Sequence, residues 1–180
     1  MTLSLRRPIP PPSARDSEAK REAAVTTLYR EHWAGMVRLS LLMVGDRASA
    51  EDVVQEAFAA IYRRWDRIRE GKQLPYLRST VLNGSRSVIR RRKVARLYTQ
   101  PTERPVWSAE HDAMVGEDRR EVLVALDTLP TRQREVLVLR FYLHLSDAEI
   151  AQTLGIREVS VRSTASRALS ALGRKLEDHR

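Results

Sequence analysis

Apolar residues return at helical spacing along most of the chain. Val25, Leu28, Tyr29, Trp33, Met36, Val37 and Leu41 keep the helical period and predict a first helix over 17–44, stopped by Gly45. Ser49, with Asp52 three residues on, predicts the cap of a second helix over 50–65 that buries Val54, Phe58, Ile61 and Trp65. Leu74-Pro75 opens a third helix. Its stripe is Leu77, Val81, Leu82, Val88 and Ile89, and it ends in the run Arg90-Arg91-Arg92-Lys93. The period fails over 94–116, where Pro101, Pro105 and an exposed-aromatic candidate, Trp107, fall. Helices resume over 117–128 and over 131–143, the latter turning Val136, Leu137 and Phe141 inward. Residues 1–16 are proline-rich and basic and read as a tail without a fold of its own. Residues 173–180 read as a fraying end. The expected fold is all-α, with two small helical domains over 17–93 and 117–180 joined by a flexible linker over 94–116.

The clearest local pattern lies over 145–172. Ser146 stands three residues before Glu149, the spacing of a capping box. Ile150, Ala151 and Leu154 share one face, and Gly155 follows where a helix stops in a left-handed residue. A second helix then buries Val161, Ala165, Ala168 and Leu172 and turns Ser160, Arg162, Ser163, Ser166 and Arg167 outward. Hydroxyls and arginines on an exposed face can approach phosphates and guanine edges, so the pair reads as a helix-turn-helix with a DNA-reading second helix.

Composition narrows the partners. Lys and Arg number 32 against 23 Asp and Glu, a net charge of +9 that favours a polyanion such as nucleic acid over a merely soluble basic surface. Against that background Glu51, Asp52, Gln55 and Glu56 form an acidic face on the second helix. It is either a solvated face with acids suited to a helix start or a docking surface for a basic protein. The chain has no cysteine, which excludes disulfides and thiolate metal sites, and His32, His111, His144 and His179 are scattered. No metal or cofactor is expected. No apolar run approaches the roughly 20 residues of a membrane helix. Arg6-Arg7 is followed by Pro8, Pro10, Pro11 and Pro12, not by a signal-peptide core, so a cytoplasmic protein without membrane insertion is expected.

Four stretches together carry a family resemblance: LYREHWAGMVRLSLLMVGDRASAEDVVQEAFAAIYRRWDRI, LPYLRSTVLNGSRSVIRRRK, LDTLPTRQREVLVLRFYLHLSDAEIAQTLGI and VRSTASRALSAL. The chain resembles the sigma-70 family of bacterial RNA polymerase sigma factors. Within it, the chain is most similar to the extracytoplasmic-function (ECF) subfamily and its actinobacterial sigma-E-like group. The resemblance implies that 17–93 is region 2 and 117–180 is region 4. It implies that Asp52, Gln55, Glu56 and Phe58 bind the β′ clamp helices of core polymerase, with the β flap as a further contact. It implies that the loop 66–73, with Asn83, Arg86, Arg90, Arg91 and Arg92, captures and melts the promoter −10 element, which needs a pocket for a flipped base and cations along the separated strand. Arg157, Ser160, Arg162, Ser163, Ser166 and Arg167 would read the −35 element. An anti-sigma protein would be a further partner. The family often has a capping serine at the place of Arg157, a glycine at that of Val159 and an aspartate near Ser87 or Val88, so promoter preference is expected to differ in detail.

Two rivals stand beside this reading. The LSDAEIAQTLGI stretch is also similar to LuxR-type regulators, but the first half has no receiver-like strands or ligand-domain pattern. Glu51, Asp52 and Glu56 could hold Mg²⁺ in a helical nuclease, yet no converging carboxylates, nucleophile–base pair or phosphate loop accompany them. The expected protein is not an enzyme.

Overall fold

Three helices make the first unit. In the computed structural model, which describes residues 14–98 and 117–177, α1 spans Ala14–Val44, α2 Arg47–Arg64 and α3 Gln73–Tyr98. They pack pairwise around Leu39, Met43, Val54, Ile61, Leu77, Val81 and Leu82, all buried. One polar contact lies in that core: the Ser40 and Ser85 hydroxyls are 3.1 Å apart, and Ser85 also donates to the Val81 carbonyl at 2.9 Å, so neither hydroxyl is left bare. At Gly84, α3 approaches α2 so closely that a Cβ there would stand 2.9 Å from Val53 Cγ1.

Among the described residues the second unit holds four helices. These are α4 (Glu117–Asp127), α5 (Thr131–Leu137), α6 (Asp147–Leu154) and α7 (Glu158–Glu177). Between α5 and α6 the helix widens into a π turn over Val138–Tyr142, in which the Leu143 N–H reaches five residues back to the Val138 carbonyl at 3.2 Å. Val136, Leu139, Ile150, Val161, Ala165 and Ala168 fill the core of this unit.

Several boundaries differ from the sequence-based expectation. Asp46, not Ser49, caps α2. Its carboxylate accepts the Ser49 N–H at 2.9 Å, so the helix begins three residues earlier than the Ser49 pattern predicts. Beyond the cation run α3 continues to Tyr98, because nothing between Val94 and Tyr98 breaks a helix; its last residues, Val94, Leu97 and Tyr98, are exposed. The linker positions 99–116, Trp107 among them, the tail 1–13 and residues 178–180 lie outside the described residues. Residues 173–177, expected to fray, continue α7 to Glu177. Phe141 is corrected from core to surface. The π turn inserts one residue's worth of rotation, and the ring comes out 55% exposed.

The two units pack on each other. α3 meets α6, and α1 meets α5 and the π turn. Buried residues of both units form one continuous apolar cluster.

Candidate nucleic-acid and polymerase interface

The helix-turn-helix forms as its cap and glycine dictate. Ser146 Oγ accepts the Glu149 N–H at 3.3 Å, while the Glu149 carboxylate accepts the Ser146 N–H at 2.9 Å and its hydroxyl at 2.7 Å. These two Ser146 bonds, with Arg78 adding a smaller pull, hold the Glu149 carboxyl below its ordinary range. Gly155 closes α6 at φ 64°, a left-handed turn that glycine adopts without a Cβ penalty. Arg157 stands at the head of α7 and offers only its carbonyl, which accepts from Ser160 and Val161. With Val161, Thr164, Ala165 and Ala168 buried, Arg157, Arg162, Ser163, Ser166 and Arg167 are exposed and Ser160 is half-buried. The Arg167 Nε donates to the Ser163 carbonyl at 3.2 Å, which lays that guanidinium along the helix.

A second surface lies where α2 turns into α3. A short 3₁₀ turn, Trp65–Arg67, and the loop after it wall an open pocket of about 570 Å³. Arg64, Arg67, Arg69 and Lys72 line it together with Tyr76, whose hydroxyl accepts from Arg64 Nη1 at 3.2 Å. Cations around an aromatic ring suit a single nucleic-acid strand: phosphate on the guanidinium groups, a base against the ring. Sequence reasoning marked the loop 66–73 but none of these side chains. The signal was there, in a dense run of cations followed by Tyr76 early in the next helix.

Further along α3 the candidate residues part company. Asn83, Arg90 and Arg91 are exposed. Arg86 is half-buried and donates to Asn83 Oδ1 at 2.7 Å and to the buried Glu135 carboxylate of α5. Arg92 is corrected from a strand contact to a structural tie. It turns inward and donates to the Val44 carbonyl (2.6 Å), to Ser49 Oγ (2.7 Å) and to the Asp46 carboxylate, closing the α1–α2 corner. A helix that wraps its neighbours turns one cation of a consecutive run back onto them.

The acidic face of α2 is mostly as expected. Asp52, Gln55 and Glu56 are exposed, and Glu56 shares a shallow cleft with Asn83, Gly84 and Ser87 of α3. Phe58 is the exception. It is 6% exposed, its ring centroid 5.0 Å from Tyr29 and 6.1 Å from Trp33, so it supports the face from beneath and presents no surface of its own. Among the described residues no three His, Asp or Glu side chains converge on a metal-sized site, and no described helix is long and apolar enough to cross a membrane.

The second unit also carries an apolar groove of about 790 Å³ that sequence reasoning missed. α4, the π turn and α7 line it, with Leu42 of α1 at its edge and the exposed Phe141 and Leu169 at its mouth.

Comparison with known proteins gives two family matches. Residues 28–94 match the model of Sigma-70 region 2, and residues 119–172 match that of Sigma-70, region 4. The chain belongs to the sigma-70 family. A sigma-E factor of Streptomyces antibioticus is 35% identical over 153 residues, covering 83% of each chain. The ECF sigma factor SigL of Mycobacterium tuberculosis is 31% identical over 166 residues, 89% of this chain and 93% of its own. Two solved structures share the fold. CnrH in complex with the cytosolic domain of CnrY has a TM-score of 0.67 at 24% identity, covering 92% of this chain and 95% of its own. The sigma factor RpoE of Bartonella quintana, in complex with the anti-sigma factor NepR, has a TM-score of 0.68 at 20% identity, covering 86% and 98%. This sigma factor therefore acts in transcription initiation, with core RNA polymerase and promoter DNA as partners. The LuxR-type alternative falls away, since a region 2 match occupies the half of the chain where such a regulator would differ.

Proposed function

We propose a division of labour among the surfaces. The exposed face of α2 (Asp52, Gln55, Glu56) docks on the β′ clamp helices. The apolar groove of region 4 receives the β flap, and it is also where an anti-sigma protein could seat apolar side chains. The pocket at the α2–α3 corner takes a base flipped from the −10 element, with Asn83, Arg90 and Arg91 along the strand, and α7 reads the −35 element through Arg157, Ser160, Arg162, Ser163, Ser166 and Arg167. The protein acts as an initiation subunit in the cytoplasm and not as an enzyme. The cationic pocket carries this reading: a regulator that only reads duplex DNA needs no site for a single strand.

The test is reconstituted transcription. Core polymerase stripped of other sigma factors is mixed with the protein and a template carrying the region upstream of its own gene. A discrete transcript dependent on the protein is expected. Arg162→Ala should lower its yield about tenfold, as loss of one base contact predicts, without affecting the complex with core. Changing Asp52, Gln55 and Glu56 together to Ala should abolish that complex on size exclusion; an intact complex would refute the docking assignment.

A further inference from the structure

The geometry points to Arg86 as a positioning residue for base choice: it fixes the polarity of the Asn83 amide, so that Asn83 selects keto over amino bases in the −10 strand. The inference rests on the assignment of Asn83 to that strand.

The polarity follows from donor chemistry. Arg86 Nη1 lies 2.7 Å from Asn83 Oδ1. A guanidinium carries donors and no acceptor, so only the amide oxygen can face it. The amide is planar, and its Nδ2 therefore turns away from Arg86. Both residues lie on α3, one turn apart, so the bond is contained within a single helix. Arg86 meets Glu135 through a different nitrogen, Nε, which leaves Nη1 to Asn83. Asn83 itself is exposed, and among the described residues no acceptor takes its Nδ2 protons.

The neighbours on α3 do not duplicate this donor. Asn83 shares a cleft of about 520 Å³ with Thr80 and Ser87, one turn to either side. The Thr80 hydroxyl donates to the Tyr76 carbonyl at 2.8 Å and the Ser87 hydroxyl to the Asn83 carbonyl at 3.0 Å. Both hydroxyl protons are thus engaged with the helix backbone, and these side chains have only lone pairs left for a ligand. The α2 wall of the cleft carries Glu56 and Arg63, of opposite charge. On the α3 wall the amide of Asn83 is the group that donates.

An unrestrained amide discriminates poorly. Half a turn about its last bond exchanges oxygen for nitrogen at nearly the same positions, so it accepts from an amino group or donates to a keto group as the base requires. Thymine and cytosine differ at one exocyclic site in this way, O4 against the N4 amino group, and guanine and adenine differ likewise at O6 and N6. With Oδ1 held by a charged donor, that half-turn would set the Nδ2 protons against the guanidinium and lose a charge-assisted bond. Asn83 is left as a donor. A keto oxygen completes it, whereas an amino group meets protons with protons.

The test uses holoenzyme formed from core polymerase and the full-length chain. It transcribes a template library randomised across the −10 region, each member carrying a barcode in its transcript, and the barcodes are counted by sequencing. At the contacted position keto bases should outnumber amino bases at least about threefold with the wild type, the discrimination of one hydrogen bond. Arg86→Met should bring that ratio toward one by freeing the amide. Glu135→Gln, which spares the pair of Arg86 and Asn83, should keep it. Asn83→Asp, at an exposed position, keeps the shape and offers only acceptors, so it should reverse the ratio in favour of amino bases. A loss of stability lowers the yield of transcript and does not change which base is preferred. No keto preference at any position in the wild type, an Arg86→Met ratio equal to wild type, a Glu135→Gln ratio that falls as that of Arg86→Met does, or an Asn83→Asp ratio without reversal would each overturn the inference while leaving Asn83 on the strand. A profile that Asn83→Ala leaves unchanged at every position would remove Asn83 from the −10 strand, and the inference would fall with that assignment.

Discussion

Arg92 gives the sharpest test of structure against sequence pattern, because the cation run suggests a phosphate contact while the fold spends this side chain on itself. Replacing it by Met keeps most of the aliphatic stem and removes three donated bonds, to the Val44 carbonyl, Ser49 Oγ and the Asp46 carboxylate. Hydrogen bonds with a charged partner contribute roughly 1.5–3 kcal/mol each when well buried. Here the Arg92 and Asp46 side chains remain 28% and 24% exposed, so water recovers part of the loss and the sum is far below three full bonds. About 2 kcal/mol of stability should go, a fall of about 4–8 °C in melting temperature for a chain of this size. Urea titration followed by the fluorescence of Trp33 and Trp65, both packed in region 2, measures it. The pH dependence adds a signature. Burial raises the Asp46 carboxyl pKa, but the Ser49 N–H and Arg92 outweigh it and hold the group below its ordinary 3.8. A depressed carboxyl contributes stability that is complete above that ordinary value and is lost as the pH falls through the depressed one. The gap between wild type and Arg92→Met should thus be full at neutral pH and narrow below about pH 4. A variant as stable as wild type at neutral pH, yet weakened in single-strand binding, would show that the inward tie is wrong and that Arg92 contacts the strand.

Two further predictions concern local packing. Ser146→Ala should cost about 1 kcal/mol in urea titrations, since it removes both hydroxyl roles in the capping box. Gly84→Ala should destabilise by about 1 kcal/mol despite a helix-propensity gain of similar size, because the new methyl meets the stiff Val53 side chain at 2.9 Å. In a Val53→Ala background the same change should become stabilising; if it does not, the close approach of α2 and α3 is not what sets the cost.

What was legible in the sequence follows from how local each signal is. The helix-turn-helix could be read because a serine, a glutamate three residues on and a glycine at the corner fix it within a dozen residues. The acidic face of α2 and the exposed polar face of α7 followed from periodicity alone. Periodicity also placed Phe58 in the core, where the Tyr29 and Trp33 rings hold it; only the family resemblance put it on the partner-facing surface, because an EDVVQEAF stretch carries partner-facing and core residues on one helix. Asp46 displaced Ser49 as cap because Arg92, 46 residues further on, holds the carboxylate in place. Glu135 lies in an amphipathic helix where nothing nearby in sequence marks a buried acid; its meaning comes from Arg86, 49 residues away. Contacts of that range are settled by packing and leave no periodic trace.

The π turn of Val138–Tyr142 has an evolutionary consequence. One surplus residue is enough to put two registers on a single continuous helical run: Val136 before the turn and Leu139 near its start face the core, while Phe141 near its end faces the groove. Deleting one residue there would re-phase the run by about 100° and retract the ring, while the capped helix-turn-helix that follows, held by its own serine and glycine, would keep its form. Among descendants of such a chain, a gain or loss of length at this turn is thus a single-step route to reshaping the apolar groove while leaving the helix-turn-helix unchanged.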